Sequence, residues 1–148
     1  MNAALFTAIC GHLEKEIPEL RWIDEDEGQL NVHQDTRPPV DFPCCLIDIH
    51  YPGCRDITDT EQVVTVSITL KIVFRPAGET NNKVPGHLRK KALDRLSVTD
   101  KIHVAMQGWQ AGGSVSPLSR RSARPSTTAG GLKVYTVVYD TTFEEYEE

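Results

Sequence analysis

Six apolar residues, Val64, Val66, Ile68, Leu70, Ile72 and Phe74, alternate strictly with Thr65, Ser67, Thr69, Lys71, Val73 and Arg75. A period of two over such a length predicts a long strand with one buried and one wet face. Upstream the period changes. Phe6, Ile9, Cys10, Leu13 and Ile17 recur at spacings of three and four, which predicts a helix capped by Asn2 and ended near Pro18. Gln29–His33, with Leu30 and Val32 on one side, predicts a short strand, and Pro43–His50 a second. In the second, Cys45, Ile47 and Ile49 share one face, and Cys44, Leu46, Asp48 and His50 the other. Pro52–Asp59 reads as a loop.

Beyond the long strand, a polar loop of Gly, Asn and Pro leads to a second helical stripe of Leu88, Ala92, Leu93 and Leu96. The capping-box spacing of Ser97 and Asp100 predicts a restart there, running through Ile102, Val104 and Met106. Residues 110–131 are rich in Gly, Ser, Pro and Arg and are expected to form a flexible arm with a weak strand near Leu118–Ala123. Leu132–Phe143 is the last strand, and residues 144–148 an acidic tail expected to fray. The order α-β-β-β-α-β-β predicts an α+β fold: a largely antiparallel sheet of about four to five strands with two helices on one face. At 148 residues, a single domain spanning 1–148 is expected.

Charge changes this picture more than composition does. The net charge of −5 argues against a general nucleic-acid binder, yet it conceals a segregation. Residues 1–70 carry net −9, residues 71–133 net +9 and residues 134–148 net −5. No apolar window approaches the length of a membrane span, and the first residues lack the basic start of a targeting signal. The expectation is a soluble protein kept in the cytoplasm or in an assembly formed there.

Catalytic signatures are missing. Gly112–Ser116 lacks the final glycine of a nucleophile elbow, and neither a phosphate-binding GxxxxGK[ST] nor HExxH occurs. Asp24–Gly28 fails as a calcium loop, because Ile23 stands where the first carboxylate is required, and reads as a solvated acidic turn. His50 beside Asp48 is the one pair with acid–base character, with a surface pair as the plainer reading. The cysteines Cys10, Cys44, Cys45 and Cys54 read as reduced thiols. Zinc held by Cys44, Cys45, Cys54 and His50 is the sharper alternative, although no C-x₂-C pair is present. No enzyme, cofactor or metal is expected.

Two basic groups remain. Arg89, Lys90 and Lys91, followed by Arg95, sit on the second helix, and Arg120, Arg121 and Arg124 sit in the arm. Arginine clusters neutralise phosphates, but the interleaved aromatics of a single-strand binder are absent, so DNA contact is at most incidental. An acidic partner, including another copy of the chain, suits them equally well.

The chain resembles the tail-completion proteins of bacteriophages, of the tail-terminator or minor-tail type. The likeness runs through EKEIPEL at Glu14–Leu20, FPCCLIDI at Phe42–Ile49 and VVTVSITLKIVF at Val63–Phe74. It continues with DKIHVAMQGW at Asp100–Trp109 and GLKVYTVVYDTTFEEY at Gly131–Tyr146. The resemblance implies a homo-oligomeric ring, commonly a hexamer, at the end of the tail tube. There it would stop tube elongation and join tail to head, in the tail or neck of a virion assembled in the bacterial cytoplasm. Its implied partners are further copies of itself, tail tube protein and head–tail connector proteins, with no membrane. Arg89, Lys90, Lys91, Arg120, Arg121 and Arg124 are then candidates for the subunit or partner interface. A head–tail connector protein of the neck is the near alternative, and a small metal-binding protein the distant one.

Overall fold

The computed structural model describes residues 2–31, 38–75 and 81–146. The elements, in chain order, are α1 (Asn2–Glu16), β1 (Trp22–Glu25), β2 (Cys44–Thr58), β3 (Glu61–Phe74), α2 (Gly86–Met106), β4 (Ser119–Thr127) and β5 (Lys133–Tyr146). The strands form one five-stranded sheet in the order β1-β2-β3-β5-β4. Every neighbouring pair is antiparallel except β1 with β2, which is parallel. The fold is α+β, as the alternation of periods predicts.

The period-two stripe of β3 organises the core. Val64, Val66, Ile68, Leu70, Ile72 and Phe74 all lie on one face, with Cys45 and Ile47 of β2 and Val137, Tyr139 and Phe143 of β5. Both helices cover that face. Leu5, Ile9 and Leu13 of α1, with Ile17 just beyond it, and Val98, Ile102 and Met106 of α2 complete the same cluster. Each such aliphatic side chain gains about 1.5–3 kcal/mol by leaving water. The helix seam carries polar contacts too: His12 stacks on Trp109 with ring centroids 4.2 Å apart and donates from Nε2 to the Ala105 carbonyl at 2.7 Å.

The opposite face of the sheet is not wholly wet. Cys44, Leu46, Val73 and Val134 are buried there beneath Val40, with Leu30, Phe42 and Leu132 packed around them. This second cluster explains why Val73, in the mostly polar register of β3, is apolar and buried.

Several expected elements differ. Trp22–Glu25 pairs with Cys44–Ile47 as β1. The strand expected at Gln29–His33 does not form in its described part. Gln29 and Leu30 lie in a turn closed by Asn31 N–H to Gly28 O at 2.9 Å, and residues 32–33 lie outside the described residues. β2 runs on through the segment read as a loop, because β3 is long enough to pair with it as far as Thr58↔Glu61. A register shift between His50 and Gly53 takes up Pro52, and a second lies between Asp56 and Thr58. α2 is unbroken at Ser97, and its buried stripe is Ala92, Val98, Ile102 and Met106, leaving Leu88 and Leu96 half exposed. It ends where Gly108 takes φ +77° and donates its N–H to Leu118 O at 2.8 Å.

The weak strand expected near Leu118–Ala123 forms as β4 and runs on into the segment read as flexible, paired with β5 from Ser119↔Asp140 to Thr127↔Lys133. β5 itself continues to Tyr146, past the point where fraying is expected; residues 147–148 lie outside the described residues. The connection before β4 is tied to the end of β5. The buried Thr141 hydroxyl donates to Ser116 O at 2.6 Å, and the Ser116 and Thr142 main chains pair at 2.9 Å.

One ion pair locks β1 to the sheet. Lys71 Nζ lies 2.9 Å from Asp26 Oδ2, and the Gly28 N–H donates to the other oxygen at 3.1 Å. Burial pushes the Asp26 carboxyl up, but hydrogen bonds from Lys71 and Gly28 outweigh it and hold the group below its ordinary value. A carboxyl depressed on folding stabilises above its unfolded pKa of about 3.9 and ceases to do so as pH falls through the folded value. Asp26→Asn is therefore expected to lose up to about 1 kcal/mol at pH 7 and to narrow that gap below pH 4. Urea unfolding of both proteins across pH 3–7 checks it; a constant gap would contradict this role.

Candidate assembly surfaces

Sheet order decides where the charge blocks end up. β1 and β4, at the two ends of the order, lie on opposite edges. β4 is exposed from Arg120 to Thr127 and carries Arg120, Arg121 and Arg124 with no acidic residue. Arg120 stands opposite Tyr139 and so lies on the helix side of the sheet, with its N–H received by Gln107 Oε1 at 2.8 Å. Arg124 stands opposite Thr136, on the other side. Arg121 sits at the irregularity between Arg120 and Ser122 and pairs with Asp140, Nε to Oδ2 2.8 Å.

The far edge is acidic. β1 contributes Asp24 and Glu25, and Asp26 and Glu27 follow at once. Because β1 reaches only from Cys44 to Ile47 along β2, the rest of β2 to Thr58 is a sheet edge that no described strand covers. A groove of about 480 Å³ runs beside its start, lined by Asn2, Ala3, Phe6 and Thr7 of α1, Glu25, and Ile47–Ile49.

The second basic group lies elsewhere. Arg89 and Lys90 are exposed at the start of α2, while the Lys91 side chain lies outside the described residues. With no acid in its first turn, α2 places these cations at the positive end of its own dipole, which is locally unfavourable and concentrates positive field. The structure thus keeps the six candidate residues as two groups on different elements.

The thiol and histidine candidates do not converge. Cys44 and Cys45 are buried on opposite faces of β2, and burial pushes the Cys44 thiol up to about 12 and raises Cys45 as well. Cys54 is exposed ten residues further along the strand, roughly 30 Å from Cys44 at a strand's rise. Asp48 and His50 lie 3.6 Å apart with both side chains more than half exposed, too long for a hydrogen bond. Among the described residues, no three His, Cys, Asp or Glu side chains are grouped so as to hold a metal ion. The four-residue zinc arrangement is thereby ruled out by geometry.

A polar contact that the sequence does not disclose sits between α2 and β5. The Tyr139 hydroxyl lies 2.9 Å from His103 Nδ1. Burial raises Tyr139 to about 12, and burial together with nearby Arg120 lowers His103. One hydrogen bond joins the two groups, and the tautomer of the imidazole sets which of them donates. Because burial and Arg120 disfavour the charged imidazole, the surroundings of His103 contribute stability above the histidine's unfolded pKa of about 6.5 and lose it as pH falls through the folded value.

The whole chain has a structural counterpart. Its fold resembles that of a virion chain. The match is to a chain from the virion of a native gene transfer agent particle, with TM-score 0.55 and 13% identity. It covers 97% of this chain and 96% of that one. At that identity it establishes the shared fold. No protein-family model matches the chain, and a search of curated proteins returns no match. Among the described residues no helix is long and apolar enough to cross a membrane.

Proposed function

We propose that this chain is a structural subunit of a bacteriophage-type virion. It forms a homo-oligomeric ring, a hexamer by family resemblance, at the end of the tail tube, where it stops elongation and joins tail to head. The observation that carries the reading is the separation of charge across the sheet. An edge with Arg120, Arg121 and Arg124 lies opposite an edge with Asp24, Glu25, Asp26 and Glu27. A ring needs two different, mutually complementary surfaces on one subunit, because a surface that fits only itself stops at a dimer. The match to a gene transfer agent virion chain over nearly the full length supports the virion context. The role is one of shape and charge, with no catalysis, cofactor or metal, and its partners are copies of itself, the tube protein and connector proteins.

Sedimentation at rising protein concentration tests it, at low and high salt and with and without tail tube protein. A ring that weakens as salt rises is expected, since the attraction is between exposed charges. A monomer under every condition would sink the reading.

A further inference from the structure

We propose that neighbouring subunits join by continuing the sheet, with β4 of one copy pairing along the open part of β2 of the next. This rests on the ring reading and names its interface. Among the described residues, no strand pairs with the outer edge of β4. Thr128 donates its N–H to Leu132 O at 2.9 Å, which puts alternate residues Ser126 and Arg124 in hydrogen-bonded pairs with β5. Ala123, Pro125 and Thr127 therefore turn their main-chain groups outward. Pro125 fits there because its nitrogen has nothing to donate.

β2 offers the matching edge. Ile47 O accepts from Asp26 N–H at 2.8 Å, so Ile47 faces β1 with its main chain, and Ile49, two residues on, faces the same way where β1 has ended. The groove beside Ile47–Ile49 is the space a further strand would take.

Direction, faces and charge agree with this placement. β2, β3, β5 and β4 are antiparallel in turn, so β4 runs opposite to β2. A second copy set beside the first in the same orientation brings its β4 antiparallel to β2. In a continuous sheet, side chains keep their face. Ala123 and Pro125, on the helix side of β4, then meet the groove floor made by Ala3 and Phe6. Arg124, on the other side, meets the face that carries Asp48. Pairing of β4 with a second β4 would instead oppose arginines, a repulsion that protects the edge from closing on itself.

Amide hydrogen exchange on the full chain, followed by mass spectrometry at concentrations below and above association, tests the proposal. Slower exchange in the assembly is expected in two segments together, residues 48–58 of β2 and 119–127 of β4. A ring that leaves both segments unchanged overturns the edge pairing while the ring reading stands, and protection of β4 alone points to the self-paired dimer and overturns it too. Failure to associate at any concentration overturns both. Ala123→Pro removes an outward N–H that β5 does not use, and is expected to weaken assembly on the order of tenfold. Wild-type assembly by a folded Ala123→Pro protein would refute the proposal, and if that variant does not fold, the exchange pattern of the wild type decides.

Discussion

Replacing Tyr139 by alanine is expected to cost about 3–5 kcal/mol of folding stability, the largest loss from any single substitution considered. Tyr139 has no exposed surface and is among the largest fully buried side chains. It stands in β5 opposite Ile68 of β3, within the cluster that both helices cover, and its hydroxyl holds His103 of α2. Truncation leaves a cavity beneath α2 and takes the partner from His103. Tyr139→Phe separates the two effects. It keeps the ring and removes the hydroxyl, so a loss of about 1 kcal/mol is expected, small because His103 is part-exposed and hydrogen-bonds water instead. Urea denaturation of the three proteins checks the order. Equal losses for both variants would show that the hydrogen bond, and not the packing, dominates at this site.

The same position shows which parts of the fold are legible in the sequence. Tyr139 belongs to the stripe of Tyr135, Val137, Tyr139 and Phe143, whose alternation is visible because one face of β5 is buried. β3 is legible for the same reason. β1 escapes, and β4 is legible only as the weak strand near Leu118–Ala123, because their extent depends on main-chain pairing with a neighbour already in place. β1 is four residues long with exposed ends, and β4 is exposed almost throughout, so neither shows a period. Past Ala123, a stretch of Arg, Pro, Ser and Thr looks like a flexible tip when it continues an edge strand kept polar. The outer part of β2 is hidden likewise, since Pro52 and Gly53 signal a turn that a register shift absorbs. Cys44, Leu46 and Val73 point away from the helices, and only a second layer from the connection before β2 accounts for their burial. For the candidate surfaces, the charge blocks are plain in the sequence. Their placement on opposite edges is not, because strand order is a long-range property that no local pattern reports.

Strand order also changes what the net charge implies. An acidic protein of net −5 ought to repel its own copies. With acid at β1 and arginine at β4, two copies in the same orientation present unlike charges, whereas a two-fold arrangement of either edge presents like charges. Field direction therefore favours open-ended or ring association over dimers.

Reversing two charges on the basic edge is accordingly expected to weaken self-association on the order of a hundredfold. Arg120→Glu with Arg124→Glu leaves the Arg121–Asp140 ion pair intact, and both replaced side chains are exposed, so the fold is expected to tolerate the change. Each reversal turns an attraction across the interface into a repulsion; at roughly 1.4 kcal/mol apiece, two of them give the factor of a hundred. Neutral Arg120→Gln with Arg124→Gln is expected to fall between this variant and the wild type, and the differences among the three to shrink at high salt. Reversal at Arg89 and Lys90, at the start of α2, serves as the comparison at equal net charge. Sedimentation of the four proteins at two salt concentrations separates the cases. If the α2 reversal dissociates the assembly and the β4 reversal does not, the interface lies on the helix face and not on the sheet edge. If both act alike, overall charge controls association, and the segregation of acidic and basic residues along the chain has no directional role.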